Sequence, residues 1–180
     1  MTTVTAAPAA VAPSLRRLYF VRFGFALVWA GLLAATASSL GPLGVTLLVL
    51  YPLFDGVAAV IDARSSKATS LYLNVVISGA AAVGLAFAAS SGIPAVLRVW
   101  GAWAIVSGLS QLAVGVLRRN LDGHWPMIIS GAISTVAGTA FIVQAAQEGA
   151  SLVNLAGYAA LGGLFFLVSA LRLGRAVKGL

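Results

Sequence analysis

The sequence contains no cysteine, one histidine and only four acidic residues among its 180 positions. Without cysteine the chain can form neither a disulfide framework nor a thiol nucleophile. A zinc site needs three or four converging ligands, and His124 has no second histidine and no thiolate to join it. The sequence also lacks a phosphate-binding glycine loop and a histidine base for a serine nucleophile. We therefore expect no enzymatic activity, no metal and no cofactor.

Charge of either sign is also scarce. Charged residues make up 8% of the chain and hydrophobic residues 61%, and the mean hydropathy is +1.03. Soluble domains are roughly half apolar and about a quarter charged. A soluble protein of this length could not cover so large an apolar fraction with polar surface. The composition predicts an integral membrane protein.

Six apolar stretches lie between the charged residues. Each is long enough to cross a hydrocarbon core of about 30 Å, which takes about 20 helical residues. They show no alternation of apolar and polar residues, and a single span can satisfy its backbone in lipid only as a helix. We predict an all-α integral membrane domain at 15–180 after a flexible tail at 1–14. The predicted spans are 18–38, 42–62, 70–89, 94–117, 125–146 and 152–172.

The basic residues predict the topology. The net charge is +7, but the bases lie at both ends and between spans rather than in one stripe, so no nucleic acid is expected as a partner. With the flanks of the spans included, ten of the eleven Lys and Arg residues fall on one side, and only Arg98 falls on the other. Because positive loops stay in the cytoplasm, both termini are predicted to be cytoplasmic.

Short segments recur at an offset of 52 residues. The Ser-Ser and Pro of 38–42 recur in 90–94, and the Ile-Ser-Gly-Ala of 77–80 recurs at 129–132. Two different segments that share one offset favour internal repetition. The repeat unit that we infer is a helical hairpin used three times, with an uncharged tip outside and a basic base inside.

Several glycines recur every seven residues. Seven residues return a helix to within about 20° of the same face. In lipid, small residues let helices approach closely, and this contact replaces the hydrophobic driving force. A glycine-lined pathway is the alternative. The helix-packing positions that we predict are Gly24, Gly31, Gly101, Gly108, Gly115, Gly131 and Gly138.

One acidic residue, Asp55, lies deep in a predicted span. A charge near the bilayer centre costs about 2.5–3.5 kcal/mol, so it needs a partner or a function. If the first two spans fold about residue 40, Arg22 lies within one turn of Asp55. This geometry predicts an intramembrane ion pair between Arg22 and Asp55. In the alternative, Asp55 is the protonatable carboxylate of a proton or ion path.

Three segments resemble the repeated signatures of the HdeD-like family, which are small bacterial membrane proteins with a short repeat, named after an acid-resistance protein. They are Leu-Phe-Asp-Gly at 53–56, the segment 100–108 and the segment 125–131. The resemblance covers roughly residues 15–175. It implies the bacterial cytoplasmic (inner) membrane and an association with acid or envelope stress. It identifies no catalytic residue.

Three functions remain open at this point. The first is a non-enzymatic membrane protein with a role in acid or envelope stress. The second is a small proton-linked transporter or channel, for which we expect a water-filled cavity that reaches Asp55. The third is a membrane scaffold, for which we expect a tightly packed bundle. The expected partners are the lipid bilayer and either further copies of the chain or another membrane protein.

Overall fold

A computed structural model describes residues 8–37, 39–66, 71–117 and 124–178. The described residues form six α-helices and no strand. Six segments of 20 to 25 residues are long and apolar enough to span a membrane, one in each helix, with α3 extended by the 3₁₀ turn that follows it. The predicted all-α fold with six potential membrane spans is therefore confirmed for the described residues. The helices are α1 (Pro8–Thr36), α2 (Pro42–Ser66), α3 (Leu71–Ala88), α4 (Ile93–Leu117), α5 (His124–Gln144) and α6 (Val153–Lys178).

The ends of the helices follow from local chemistry. Pro42 is the first residue of α2 and Pro94 the second of α4. Proline lacks an N–H, and it is tolerated in the first turn because N–H groups there have no partner within the helix. A 3₁₀ turn, Ala89–Ser91, ends α3, and Gly92 follows it with a φ of 91°, which glycine adopts without strain. The first helix begins before the predicted span, at Pro8. Residues 8–14 of the predicted tail are therefore helical, and residues 1–7 lie outside the described part.

Each helix packs against its neighbours in chain order, and α6 returns to α1, so the six helices form a closed ring. The most extensive contacts join α4 to α5, α1 to α6 and α2 to α3. Contacts of α1 with α2 and of α3 with α4 are smaller, and α5 barely touches α6. The 52-residue offset relates α2 to α4 and α3 to α5. The matching segments therefore lie in the close pairs α2–α3 and α4–α5, rather than in hairpins closed by the uncharged turns.

Glycine explains why α4 and α5 are so close. A Cβ atom on Gly101 would lie 2.6 Å from the carbonyl oxygen of Gly138, and one on Gly108 would lie 2.7 Å from that of Gly131. A Cβ atom on Gly115 would lie 3.3 Å from the backbone nitrogen of Ile128. The two backbones are in direct contact along the helices, which only glycine permits. This is the packing by small residues that helix association in lipid uses.

The two predicted packing glycines of α1 do not lie in a contact between helices. Gly24 and Gly31 are exposed, and a Cβ atom on either would meet no atom within 4 Å. They therefore make no close helix contact within the chain. The approach of α6 to α1 uses Gly163 instead, where a Cβ atom would lie 3.1 Å from that of Ala26. Seven-residue spacing identifies one helix face but does not say whether that face meets protein or lipid.

The interior differs between the two ends of the bundle. We call the end that carries residues 39–41, 89–92 and 145–152 the turn end, and the opposite one, where α1 begins and α6 ends, the terminal end. The main apolar cluster lies entirely in the half nearer the turn end. Its largest fully buried side chains are Trp29, Leu33, Leu48, Leu85, Leu97, Trp100, Leu152 and Leu155. In the other half, most of the buried hydrophobic residues are alanines, among them Ala26, Ala58, Ala63 and Ala170.

Candidate functional site

The carboxylate of Asp55 joins three helices. Its Oδ1 atom accepts a hydrogen bond from Nη2 of Arg22 on α1, and the two side chains form an ion pair. Its Oδ2 atom accepts hydrogen bonds from Nδ2 of Asn74, at 2.9 Å, and from Oγ of Ser78, at 2.8 Å, both on α3. We call these four residues the Asp55 cluster. Both carboxylate oxygens have donors, so the cluster connects α1, α2 and α3 at one point.

Local sequence makes this arrangement possible. Asn74 and Ser78 are four residues apart, so they lie on the same face of α3. Gly56, next to Asp55, lets α3 come close, since a Cβ atom there would lie 3.7 Å from that of Ser78. The spacing of two polar residues on α3 is the signal that could have placed Ser78 beside Asp55 in advance.

The charges of the cluster are largely buried. The side chains of Arg22 and Asp55 are 11% and 16% exposed, and Ser78 is fully buried. The guanidinium of Arg22 also lies 4.0 Å from the centre of the Phe166 ring, which brings α6 into the site. A buried ion pair offsets its desolvation only when its remaining polar atoms are satisfied. Both oxygens of Asp55 meet this condition, and the charges of Arg22 and Asp55 balance each other.

A second polar contact joins α1 to α2 nearer the terminal end. The hydroxyl of Tyr19 donates to Oδ2 of Asp62 at 3.2 Å, and its ring centre lies 6.0 Å from that of Phe166. Sequence reasoning missed Asp62 as an interior residue. Asp62 lies seven residues after Asp55, so both acids lie on one face of α2. This spacing could have predicted that Asp62 also faces the interior.

An aromatic cluster of Trp29, Tyr51, Trp100 and Trp103 fills the interior on the turn-end side of Asp55. The ring centres of Trp29 and Tyr51 are 4.5 Å apart, and those of Trp29 and Trp100 are 5.3 Å apart. The indole N–H of Trp29 donates to the carbonyl oxygen of Leu47 at 2.7 Å. Because the four aromatic side chains come from α1, α2 and α4, they connect helices on different sides of the bundle.

Three buried polar groups on α4 have no hydrogen-bond partner among the described residues. They are Nε1 of Trp100, Nε1 of Trp103 and Oγ of Ser107. Ser110 on the same helix donates to the carbonyl oxygen of Val106 at 2.8 Å, and Ser107 makes no such bond. An unsatisfied buried donor costs about 1–3 kcal/mol. This face of α4 therefore offers donors to a hydrogen-bond acceptor.

A groove of about 390 Å³ lies between α5 and α6, in the half of the bundle nearer the turn end. We call it the α5–α6 groove. A second depression, of about 510 Å³, lies on α1 beside Arg16, Arg17 and Phe20. Asp55 lines neither of them. The α5–α6 groove is lined by Ile133, Ala137, Ala140, Phe141, Gln144, Gln147, Asn154, Gly157, Tyr158 and Leu161.

In the part of the chain that the structure describes, no three His, Cys, Asp or Glu side chains lie together as metal ligands could. His124 begins α5, but its side chain lies outside the described part. Comparison with protein-family models, with curated proteins and with solved structures gave no match. The structure itself shows a helical chain with six segments that are long and apolar enough to span a membrane.

Proposed function

We propose that this chain is a non-enzymatic structural protein of the bacterial cytoplasmic membrane that acts in acid or envelope stress, as its resemblance to HdeD-like proteins implies. The observation that supports the structural role is the hydrogen bonding of the Asp55 carboxylate. Its two oxygens accept hydrogen bonds from Arg22, Asn74 and Ser78. The deeply placed acid therefore holds helices together.

The surroundings of Asp55 support this proposal. Pumps and coupled transporters usually contain several intramembrane ionisable groups in a relay. Here the charge of Asp55 is balanced by Arg22, and the aromatic cluster and the apolar core fill the interior towards the turn end. The backbone contact between α4 and α5 adds a tightly packed wall, as a structural protein requires.

The exposed bases support the cytoplasmic placement of both termini. Arg16 and Arg17 on α1, Arg64 on α2 and Arg172 on α6 are exposed near the terminal end, whereas Arg98 is exposed near the turn end. Positive residues remain on the cytoplasmic side of a membrane. In this orientation the turn end faces outward.

A complementation experiment tests the role of the charges. A deletion strain receives the wild-type gene, the single variant Asp55→Leu or the double variant Arg22→Met/Asp55→Leu. If the pair is structural, the double variant restores acid survival, because apolar residues of similar volume can replace a buried ion pair. The single variant fails, because it leaves Arg22 unpaired. Arg98→Gln removes an exposed charge that belongs neither to the Asp55 cluster nor to the lining of the α5–α6 groove, and it is the matched control that should behave as wild type.

Folded protein in the same cells is measured by fluorescence-detected size-exclusion chromatography. A double variant that folds at wild-type level and does not restore survival would contradict the structural role. A deletion strain with normal survival in acid and under envelope stress would contradict the stress function.

A small proton-linked transporter or channel that uses Asp55 is the second candidate. Two observations favour it: the partial exposure of Arg22 and Asp55, and the unpartnered donors of Trp100, Trp103 and Ser107. The ion pair lies in the half nearer the terminal end and the N–H groups of Trp100 and Trp103 lie in the half nearer the turn end, so both halves of the interior contain polar groups.

Reconstituted liposomes test this second candidate. With a pH-sensitive dye inside, a transporter or channel gives a proton flux that Asp55→Asn reduces by about tenfold or more, because the amide cannot carry the proton. The same flux in wild-type, Asp55→Asn and protein-free liposomes would contradict it.

A further inference from the structure

The ring of helices has one loose contact, between α5 and α6. These helices meet only through a few side chains: Tyr158 donates to Oγ of Ser134 at 2.9 Å, and its ring centre lies 5.6 Å from that of Phe141. Their other partners, α4 and α1, are held much more closely. The α5–α6 groove of about 390 Å³ occupies the space that remains.

The walls of this groove are apolar and partly open to the surroundings of the bundle. Ala140 and Gly157 are exposed on facing helices, and Leu161 is 40% exposed. A Cβ atom on Gly157 would meet no atom within 4 Å, so there is room beside the backbone of α6. In a bilayer, a groove of this kind is in contact with acyl chains.

The rim of the groove at the turn end is polar. It carries the side-chain amides of Gln144, Gln147 and Asn154. Amide N–H groups can donate to phosphate and ester oxygens. Nε2 of Gln144 donates to the carbonyl oxygen of Ser151 at 3.3 Å, which leaves its second N–H for a ligand. Glu148 follows Gln147, is exposed and forms no ion pair with the described residues. The groove lining contains no Lys or Arg, and Arg98, the base near this end, is not part of it.

This distribution of polarity matches one class of ligand. An apolar floor suits an acyl chain, and the amides at the rim suit a phosphate ester. Glu148 lies outside the lining but directly follows the rim residue Gln147, and the lining contains no base. An acidic residue at this position favours a headgroup that carries its own cation, and a primary ammonium can donate three hydrogen bonds to a carboxylate and neighbouring oxygens. We propose that the α5–α6 groove binds one zwitterionic phospholipid with a primary ammonium headgroup, such as a phosphoethanolamine lipid, with the ammonium at Glu148.

This inference needs the membrane placement proposed above, but it does not need the stress function. The two can therefore fail separately, because lipid binding is measured on purified protein and stress tolerance in cells. Under the proposed orientation, the bound lipid belongs to the outer leaflet.

Native mass spectrometry of the full chain in detergent tests the site. The protein is titrated with phosphatidylethanolamine, phosphatidylcholine and phosphatidylglycerol that carry the same acyl chains. We expect one phosphatidylethanolamine to be retained about tenfold more strongly than the other two, a difference of about 1.4 kcal/mol. Equal retention of all three, or preferential retention of phosphatidylglycerol, would overturn the headgroup assignment.

Matched variants locate the binding. Gly157→Leu fills the groove without meeting another atom at its Cβ, and Ala140→Leu fills it from α5. Both should reduce retention of phosphatidylethanolamine by about tenfold. Gly31→Leu is the control, since Gly31 is an exposed helical glycine whose Cβ would also meet nothing, on a helix away from the groove. Glu148→Gln should keep one bound lipid but lose the preference for phosphatidylethanolamine over phosphatidylcholine.

The variants also separate a lipid from a second copy of the chain. If Gly157→Leu changes a dimer into a monomer and leaves lipid retention unchanged, the groove holds a helix of another copy and the proposal is wrong. If both groove variants bind lipid as wild type does and show wild-type thermal stability, the lipid lies elsewhere and the proposal is also wrong.

Discussion

The Asp55 cluster shows how one acidic residue can be kept inside a membrane protein. Isolated in hydrocarbon, the carboxylate would be expensive to bury. With Arg22 on one oxygen and Asn74 and Ser78 on the other, its charge is balanced and each oxygen accepts at least one hydrogen bond. Removing any one donor leaves the others in place, whereas removing the carboxylate leaves three donors without an acceptor.

We expect Asp55→Ala to destabilise the folded protein by about 3 kcal/mol, because it leaves the guanidinium of Arg22 buried and unpaired. Unfolding in mixed detergent micelles measures the effect. Arg22→Ala and the double variant complete a mutant cycle, in which we expect a coupling energy of about 2 kcal/mol. Additive effects of the two substitutions would show that the side chains do not stabilise each other. Arg98→Ala, at an exposed position outside the Asp55 cluster, should leave stability unchanged.

The two most deeply buried tryptophans provide a comparison with almost equal burial. Trp29 is 1% exposed and donates to the carbonyl oxygen of Leu47, whereas Trp100 is 0% exposed and its N–H has no partner. We expect Trp29→Phe to destabilise the protein more than Trp100→Phe by about 1 kcal/mol, the net value of one hydrogen bond. Thermal unfolding in detergent measures both. Equal losses would mean that an acceptor not among the described residues engages Trp100.

At the scale of elements, the sequence predicts the helices well and their contacts only in part. The seven-residue glycine pattern identifies the surfaces by which α4 and α5 meet, since Gly101, Gly108 and Gly115 all face α5. The same pattern on α1 leads to Gly24 and Gly31, which face away from the other helices. Periodicity contains no information on the neighbour of a face, so the two cases look alike before folding.

We expect Gly108→Ala to destabilise the protein by about 2 kcal/mol, because the new Cβ would lie 2.6–2.8 Å from Thr135 Oγ1, the Gly131 oxygen and the Thr135 nitrogen. Backbone atoms cannot move aside without separating α4 from α5. Gly24→Ala is the matched control, and it should be neutral or slightly stabilising, because alanine favours helix more than glycine. Midpoints of thermal unfolding in detergent compare the two, and similar midpoints would contradict the packing role of Gly108.

At the scale of the whole molecule, polarity is distributed unequally between the ends of the bundle. The apolar core lies towards the turn end, and the Asp55 cluster lies towards the terminal end. Four of the five exposed arginines that the structure describes also lie towards the terminal end, and Arg98 is the exception. Charge placement predicts that the terminal end is cytoplasmic. The absence of cysteine makes this topology simple to test, because a single introduced thiol is the only one in the chain.

We expect Ser91→Cys to react with a membrane-impermeant maleimide added to intact spheroplasts, because Ser91 is exposed at the turn end. Ser14→Cys, exposed near the start of α1, should react only after the membrane is permeabilised. Gel shift of the labelled protein measures both. Labelling of Ser14→Cys from outside, with protection of Ser91→Cys, would reverse the topology.

The number of helices, their positions and the closeness of Arg22 to Asp55 follow from the sequence, because each depends on local information. A helix satisfies its backbone hydrogen bonds within its own segment, so an apolar run of sufficient length predicts it. A short turn at residues 39–41 then places positions on α1 and α2 opposite each other. Contacts between neighbours on either side of a short turn are therefore accessible to simple geometry.

Only the tertiary structure decided which helices pack closely, which glycines they use and where a gap remains. Three features join residues that the sequence alone does not bring together: the pairing of α1 with α6, the donors that α3 supplies to Asp55, and the α5–α6 groove. These residues are distant in the sequence, or they lie on helices whose rotation about their own axes the sequence does not determine. In lipid, apolar faces have no preference between a neighbouring helix and an acyl chain. The shape of the side chains along each face therefore selects the neighbour, and that selection depends on all six helices together.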